Sequence, residues 1–244
     1  MPRRHPLSLG FSRYSLEFAK IVGADRRVEV PIDPTLEIGV GDFSILFFGS
    51  VGVGPDTQYF VSKGSGGVGN GRYRISADGI GAVYGRIRDV AGAEPVSSIV
   101  VGIIEPRVYH FAFIVNRTTG FMTLYLNGAP GTIVNIAAVG NVTSVEDLHL
   151  GCYDGDISGL NGLMDEVLFY QGRALTPYEI GYNILNYHKP LRGNLVGWWR
   201  FEEGSGLAAQ DLSSTGNNGV LLPAGDPPVW TEMMKHELRV AADV

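Results

Sequence analysis

The chain has 244 residues and a formal net charge of −6, the wrong sign for a protein that lives on nucleic-acid phosphates. It has no run of about 18 apolar residues, the length a membrane-spanning helix needs. Cys152 is the single cysteine, so no intrachain disulfide can form, and an all-β sandwich of about 200–250 residues buries enough surface to stand without one.

Residues 1–13 read as an N-terminal arm carrying Arg3, Arg4 and His5, with no apolar run of about 7–15 residues such as a secretory signal requires. Strands are expected at Leu16–Phe18 and Arg27–Val30. The stretch from Asp42 to Gly49 is apolar on both faces, as a strand buried between two layers should be. Further strands are expected at Gln58–Lys63, Arg72–Ser76 and Gly81–Arg88, the last two joined through the Asp78-Gly79 turn. After Val96–Gly102 comes a hairpin of His110–Val115 and Phe121–Leu126 around a short loop ending in Gly120. Gly131–Ile136, Asp147–Gly151 and Met164–Tyr170 follow. One helix is announced by a capping box, with Thr176 as N-cap, Pro177 at the first helical position and Glu179 reaching back. A last strand is expected at Leu195–Phe201. Many short strands, 34 glycines between them and one helix predict an all-β fold with two antiparallel sheets. No linker interrupts it, so a single domain is expected over residues 14–232, with a C-terminal tail at 233–244.

Three stretches resemble the laminin-G-like jelly-roll domains, relatives of the concanavalin-A-like lectins and glucanases. Residues 25–31 resemble that family's opening "DDYVEVP" strand, with Arg26 in place of its second acid. Tyr109–Asn116 and Phe121–Gly128 are similar to its paired central strands and their "LYVNG" end. Gly162–Tyr170 followed by Arg173–Ile180 resembles its late "G-x-IDEVRIY-xRAL-xxEI" strand and helix nearly position for position. The resemblance implies a concanavalin-A-like jelly roll. The segment from Asn194 to Gly219 looks like the part that normally begins such a domain, yet here it comes last. The chain therefore reads as circularly permuted, with closing strands in residues 194–222 completing either their own sandwich or a neighbour's.

The related glucanases place three acids in an E-x-D-x-E spacing, which sets acid and nucleophile on one face of a strand about 5–5.5 Å apart. No such triplet occurs. Glu146-Asp147 and Asp165-Glu166 are adjacent, so their side chains point to opposite faces of a strand, and Glu202-Glu203 sit at a strand end. The five histidines show no metal-ligand spacing. The glycine loop at residues 64–69 lacks the Lys-Ser or Lys-Thr and helix that a phosphate-binding loop needs. No catalytic machinery is read, and no enzyme is expected.

The resemblance implies one structural calcium ion near the late Asp-bearing strand, held by oxygen ligands. Asp165, Asp211 and Asn217 are its candidates, the alternative being that Asp165 caps a turn and that Asp211 and Asn217 hold their own loop. A carbohydrate would need exposed aromatic rings, and Tyr59, Tyr73, Tyr84, Tyr153 and Trp230 are candidates by their places near turns. Trp198 and Trp199, being neighbours on a strand, should point to opposite faces.

Two functions follow as expectations. The first is a non-catalytic structural or adhesion protein of a virion, a capsid decoration or tail-surface protein, because no export signal, anchor or attached enzyme is visible and the chain begins with Met. Its partners would be other capsid or tail proteins or copies of itself, without nucleic acid or membrane insertion. The alternative is a carbohydrate-binding lectin module of a bacterial surface protein, acting on glycans outside the cell.

Overall fold

The computed structural model describes residues 13–19, 26–65, 69–100, 107–153 and 159–232. The N-terminal arm, the C-terminal tail, Asp25, the centre of the glycine loop and the last two residues of the expected strand 96–102 lie outside the described residues.

The strands run in chain order as β1 (Tyr14–Phe18), β2 (Arg27–Val30), β3 (Phe43–Gly49), β4 (Gln58–Lys63), β5 (Arg72–Ala77), β6 (Ala82–Arg88), β7 (Val96–Val100) and β8 (Tyr109–Asn116). Then come β9 (Phe121–Leu126), β10 (Ala129–Asn135), β11 (Leu148–Leu150), β12 (Gly162–Gln171), the helix α1 (Pro177–Leu185), β13 (Leu195–Trp199), β14 (Ala208–Ala209), β15 (Gly219–Leu222) and β16 (Val229–Glu232). They form two antiparallel sheets. Sheet I has the order β10-β9-β8-β3-β12-β1-β16, with β13 also on β12, and sheet II the order β14-β15-β2-β11-β4-β5-β6-β7. The architecture is the all-β sandwich that the alternation predicts.

The alternation decides which side chains meet between the sheets. Phe43, Ile45 and Phe47 of β3, Phe111 and Phe113 of β8 and Phe169 of β12 face inward from sheet I. Phe60, Tyr73, Ile75, Val83 and Ile87 face them from sheet II. Phe47, Phe60 and Phe111 pack as a trio with ring centroids 5.0–5.3 Å apart, tying the two sheets together. Gly85 of β6 is required by this closeness, because a Cβ there would lie 2.5 Å from the Phe113 ring.

The other face of sheet I is apolar as well, and it is covered. Leu46, Ala112, Ile114, Leu168, Tyr170 and Trp198 form a second cluster with Ile180 of α1 and with Leu175 and Leu195. The capping box holds the helix start: Glu179 N donates to Thr176 Oγ1 at 3.3 Å, and Thr176 N donates to Glu179 Oε2 at 2.8 Å. This second layer explains why β3 reads as apolar on both faces.

The C-terminal segment joins both sheets of the same chain. β13 pairs with β12, β15 with β2, and β16 with β1. Trp199 enters the main core at 0% exposure and donates its Nε1 to the Asn217 carbonyl, whereas Trp198 enters the second cluster. The two neighbours do point to opposite faces. β14 and β15 lie inside residues 194–222, where closing strands were expected without bounds of their own; β16 was not expected, and all three are too short for alternation to stand out. Among the described residues no helix is long and apolar enough to cross a membrane.

A chain ended after Pro190 loses β13, β15 and β16 and uncovers strand edges in both sheets. Circular dichroism and urea titration of that truncation are expected to show no cooperative folding. A soluble monomer with a sharp transition would refute the integral role of these strands.

Candidate ligand-binding face

With Tyr73, Ile75 and Ala77 turned into the core, β5 must present Arg72, Arg74 and Ser76 to the outer face of sheet II. By the same rule β6 presents Tyr84, Arg86 and Arg88. On β4 an irregularity between Tyr59 and Val61 lets Phe60 and Val61 both enter the core, leaving Tyr59 and Ser62 outward. The registers align these positions in rows: Tyr59–Ser76–Tyr84, then Ser62–Arg74–Arg86, then Arg72–Arg88.

The rows are bound into one polar-aromatic surface. Glu94, from the loop after β6, accepts from Arg72 Nε and NH2 at 3.1 and 2.6 Å and from Arg74 NH2 at 3.1 Å. Burial opposes ionisation of this carboxyl, but the hydrogen bond and charge of Arg72, with those of its other arginines, hold it below the usual carboxylate range. Tyr153, just after β11, stacks on Tyr59 at 5.0 Å and accepts from Arg72 NH1 at 3.1 Å. The Arg74 guanidinium lies 5.9 Å from the Tyr59 ring centre and 5.7 Å from that of Tyr153. Arg86 sits over Tyr84 at 5.3 Å, and the Tyr84 hydroxyl donates to Asp78 at 2.9 Å. Tyr84, Arg86 and Tyr153 remain partly exposed, whereas Tyr59 is covered at 8%.

Three of the five candidate aromatics, Tyr59, Tyr84 and Tyr153, therefore share one face. Two do not. Tyr73 is 1% exposed and points into the core against Phe43 and Phe169, its hydroxyl donating to the Leu36 carbonyl; its odd position on β5 puts it inside and excludes ligand contact. Trp230 belongs to β16 in sheet I, packs partly against the core and donates to the Gly206 carbonyl at 2.9 Å. The arginines were missed in the sequence. Their signal was present, in the spacing Arg72-x-Arg74 and Arg86-x-Arg88 on strands whose alternate residues are apolar.

The three candidate calcium ligands do not form one oxygen cage. Asp211 is a hub of donors: its carboxylate accepts from Trp198 N, Ser213 N, Asn217 N, Ser213 Oγ and Thr215 Oγ1 at 2.7–3.1 Å. Asn217 in turn donates from Nδ2 to Thr35 Oγ1 and the Val196 carbonyl. An oxygen surrounded by N–H and O–H groups has its lone pairs occupied and faces positive hydrogen atoms, the opposite of a cation site. Asp165 sits apart, on β12, and accepts from the next residue's N–H. Among the described residues no group of three or more His, Cys, Asp or Glu side chains is placed to hold a metal.

Next to Asp165 the β12–β3 register shifts, and Glu166 takes φ +49 there. This bulge turns a second acid into the protein beside the first. Glu166 is 1% exposed and accepts from Trp198 Nε1 at 2.8 Å and Arg200 Nε at 2.9 Å. Burial pushes its carboxyl up to about 7, although both partners pull it down. Burial also opposes the charge on Arg200, whose side chain keeps 25% exposure, but the charge and hydrogen bond of Glu166 raise its pKa overall.

The family profile described as the concanavalin A-like lectin/glucanases superfamily matches residues 23–181. The chain belongs to this superfamily. No curated protein matches it in sequence. Solved structures share the superfamily's fold at low identity. A heptameric SAP-like pentraxin from Limulus polyphemus superimposes with TM-score 0.60 at 14% identity, covering 88% of this chain and 98% of the pentraxin. A candidate carbohydrate-binding protein from Bacteroides ovatus gives 0.63 at 16% identity, covering 89% of this chain and 61% of that one. The binding domain of Paraclostridial Mosquitocidal Protein 1 gives 0.56 at 15% identity over 73% of this chain, which spans only 47% of that chain. At these identities the likeness concerns the lectin/glucanase sandwich alone.

Two outcomes follow for these acids. An acid whose folded value lies above its unfolded one binds its proton more tightly when folded, so stability falls as pH rises from about 4.5 to about 7 and is level beyond. Glu166→Gln keeps an acceptor for Trp198 without the charge. Its stability relative to wild type, from urea titrations, is expected to rise by ~1–3 kcal/mol across that window; a constant difference would show that Glu166 ionises without penalty. Chelator and added calcium are both expected to leave the melting temperature unchanged. A calcium-dependent rise abolished by Asp165→Ala would restore a metal at the late strand.

Proposed function

We propose that this chain is a non-catalytic carbohydrate-binding module of lectin type, with the outer face of sheet II as its binding surface. The observation that carries this reading is the juxtaposition of Tyr84 and Tyr153, partly exposed, with the outward arginines of β5 and β6. Flat aromatic rings offer apolar surface to the C–H faces of a sugar, and the charged groups beside them reach its oxygens. Tyr59 supports Tyr153 from beneath and so limits the freedom that binding must remove.

The absence of catalysis is argued from the same strands. Glycoside hydrolysis by the usual route needs two carboxyl groups flanking the scissile bond. The outward positions of β4, β5 and β6 are Tyr, Ser and Arg, and Glu94 is engaged by two arginines. The carbohydrate-binding description of the Bacteroides ovatus protein and the binding-domain description of the mosquitocidal protein agree with a binding role. None of these structures is described as a virion component, and no feature of the described fold favours the virion setting over a surface-exposed one.

On a glycan array the protein is expected to retain a restricted set of oligosaccharides. Tyr84→Ala should weaken the best of them by about tenfold or more in calorimetry, near 1.4 kcal/mol, without lowering the melting temperature. Retention of no glycan, or full affinity in Tyr84→Ala and Tyr153→Ala alike, would remove this face from the account.

A further inference from the structure

The charge on this face narrows the ligand. The registers set Arg72 directly opposite Arg88 and Arg74 directly opposite Arg86. Like charges in such cross-strand pairs are destabilising, and here two pairs lie side by side in a chain whose net charge is −6. Glu94 offsets part of this, and it does so unevenly. It engages Arg72 through two nitrogens and Arg74 through one. Arg86 receives no hydrogen-bonding partner at Nε, and Arg74 Nε likewise has none, although both atoms are buried.

The result is a surplus of oriented donors. Arg74 lies beside the stacked Tyr59 and Tyr153 rings, with its side chain 11% exposed, and Arg86 lies over Tyr84. Burial and the neighbouring charges of Arg72 and Arg86 make it harder for Arg74 to carry its own charge. A chain that needed only a solvated surface would have no cause to hold two guanidinium groups in this way. A planar guanidinium matches the paired oxygens of a carboxylate or a sulfate.

Resting on the carbohydrate-binding reading above, we infer that the ligand is an acidic glycan, whose carboxylate or sulfate group is received by Arg74 and Arg86 while its sugar ring lies on Tyr84. The anion supplies the hydrogen-bonded countercharge that Arg86 Nε lacks among the described residues, so binding relieves a repulsion built into the sheet. Affinity then falls with salt, as it does for any contact made largely through charge.

The test is calorimetry with four oligosaccharides on the intact chain: an oligogalacturonate for carboxylates, a heparin-derived hexasaccharide for sulfates, and cellohexaose and xylohexaose as neutral references. At least one acidic oligosaccharide is expected to bind about tenfold or more tightly than the neutral ones. Its affinity should drop as sodium chloride is raised and should be lost in Arg86→Gln. Lys189→Gln, which removes one positive charge from an exposed position elsewhere, should leave it unchanged. Equal affinity for acidic and neutral sugars, with Tyr84→Ala sensitive and Arg86→Gln not, would overturn the acidic ligand while leaving the carbohydrate-binding reading in place. Binding lost equally in Lys189→Gln, or displaced completely by millimolar sodium sulfate, would reduce it to general attraction of anions. Failure of all four sugars to bind would overturn the acidic ligand, while the glycan array decides the carbohydrate-binding reading.

Discussion

The packing of the two sheets through Phe47, Phe60 and Phe111 is the contact on which the rest of the molecule depends. Each of these rings sits on a strand whose next residue must point the other way. Once the inner faces are committed to one another, the two outer faces have their content set by register. Sheet I shows Leu46, Ala112, Ile114 and Leu168 outward, and these are apolar. Sheet II shows serines, tyrosines and arginines. The molecule therefore has one outer face that must be covered and one that can meet solvent.

The helix and the segment leading into it cover the first. Leu175 and Ile180 close over sheet I and its Leu195 and Trp198, and the bulge at Glu166 lets a buried carboxylate serve Trp198 and Arg200 in the same layer. The second face is largely covered at β5, where Arg72 and Ser76 are buried and the Arg74 side chain is 11% exposed, and is partly exposed at β6; its chemistry is dominated by arginine. A stability-driven sheet would avoid arginines directly opposite one another. Glu94 offsets part of this conflict through Arg72 and Arg74, and what remains at Arg86 is where the proposed ligand has something to contribute.

The same logic separates the acids. Asp211 lies among donors and organises the loop that carries Asn217, which receives the Trp199 indole at its carbonyl. Glu94 lies among arginines at the edge of the open face. Neither stands as a free pair of carboxyls across a groove. The superfamily contains both binding and hydrolytic members, and these acids have the surroundings of structural groups.

The amino-acid sequence alone determined the strands with strong alternation or long apolar runs. β2, β4 and β9 end where their patterns end, and the capping box at Thr176 starts α1 where its side chains dictate. The late strand and helix were legible because their local signals are dense, and so was the opposite orientation of Trp198 and Trp199. Tertiary structure alone decided which tyrosines reach the outer face of sheet II. Tyr73 and Tyr84 both stand on strands near turns, yet one is in the core and the other outside, and only the sheet's choice of inner face tells them apart. The bounds of β14, β15 and β16 were invisible because two to four residues hold no period; long-range pairing with β2 and β1 makes them strands. The arginine surface was likewise undecided in the sequence, since Arg74 and Arg86 are twelve positions apart and become opposed only when β5 and β6 take up their register.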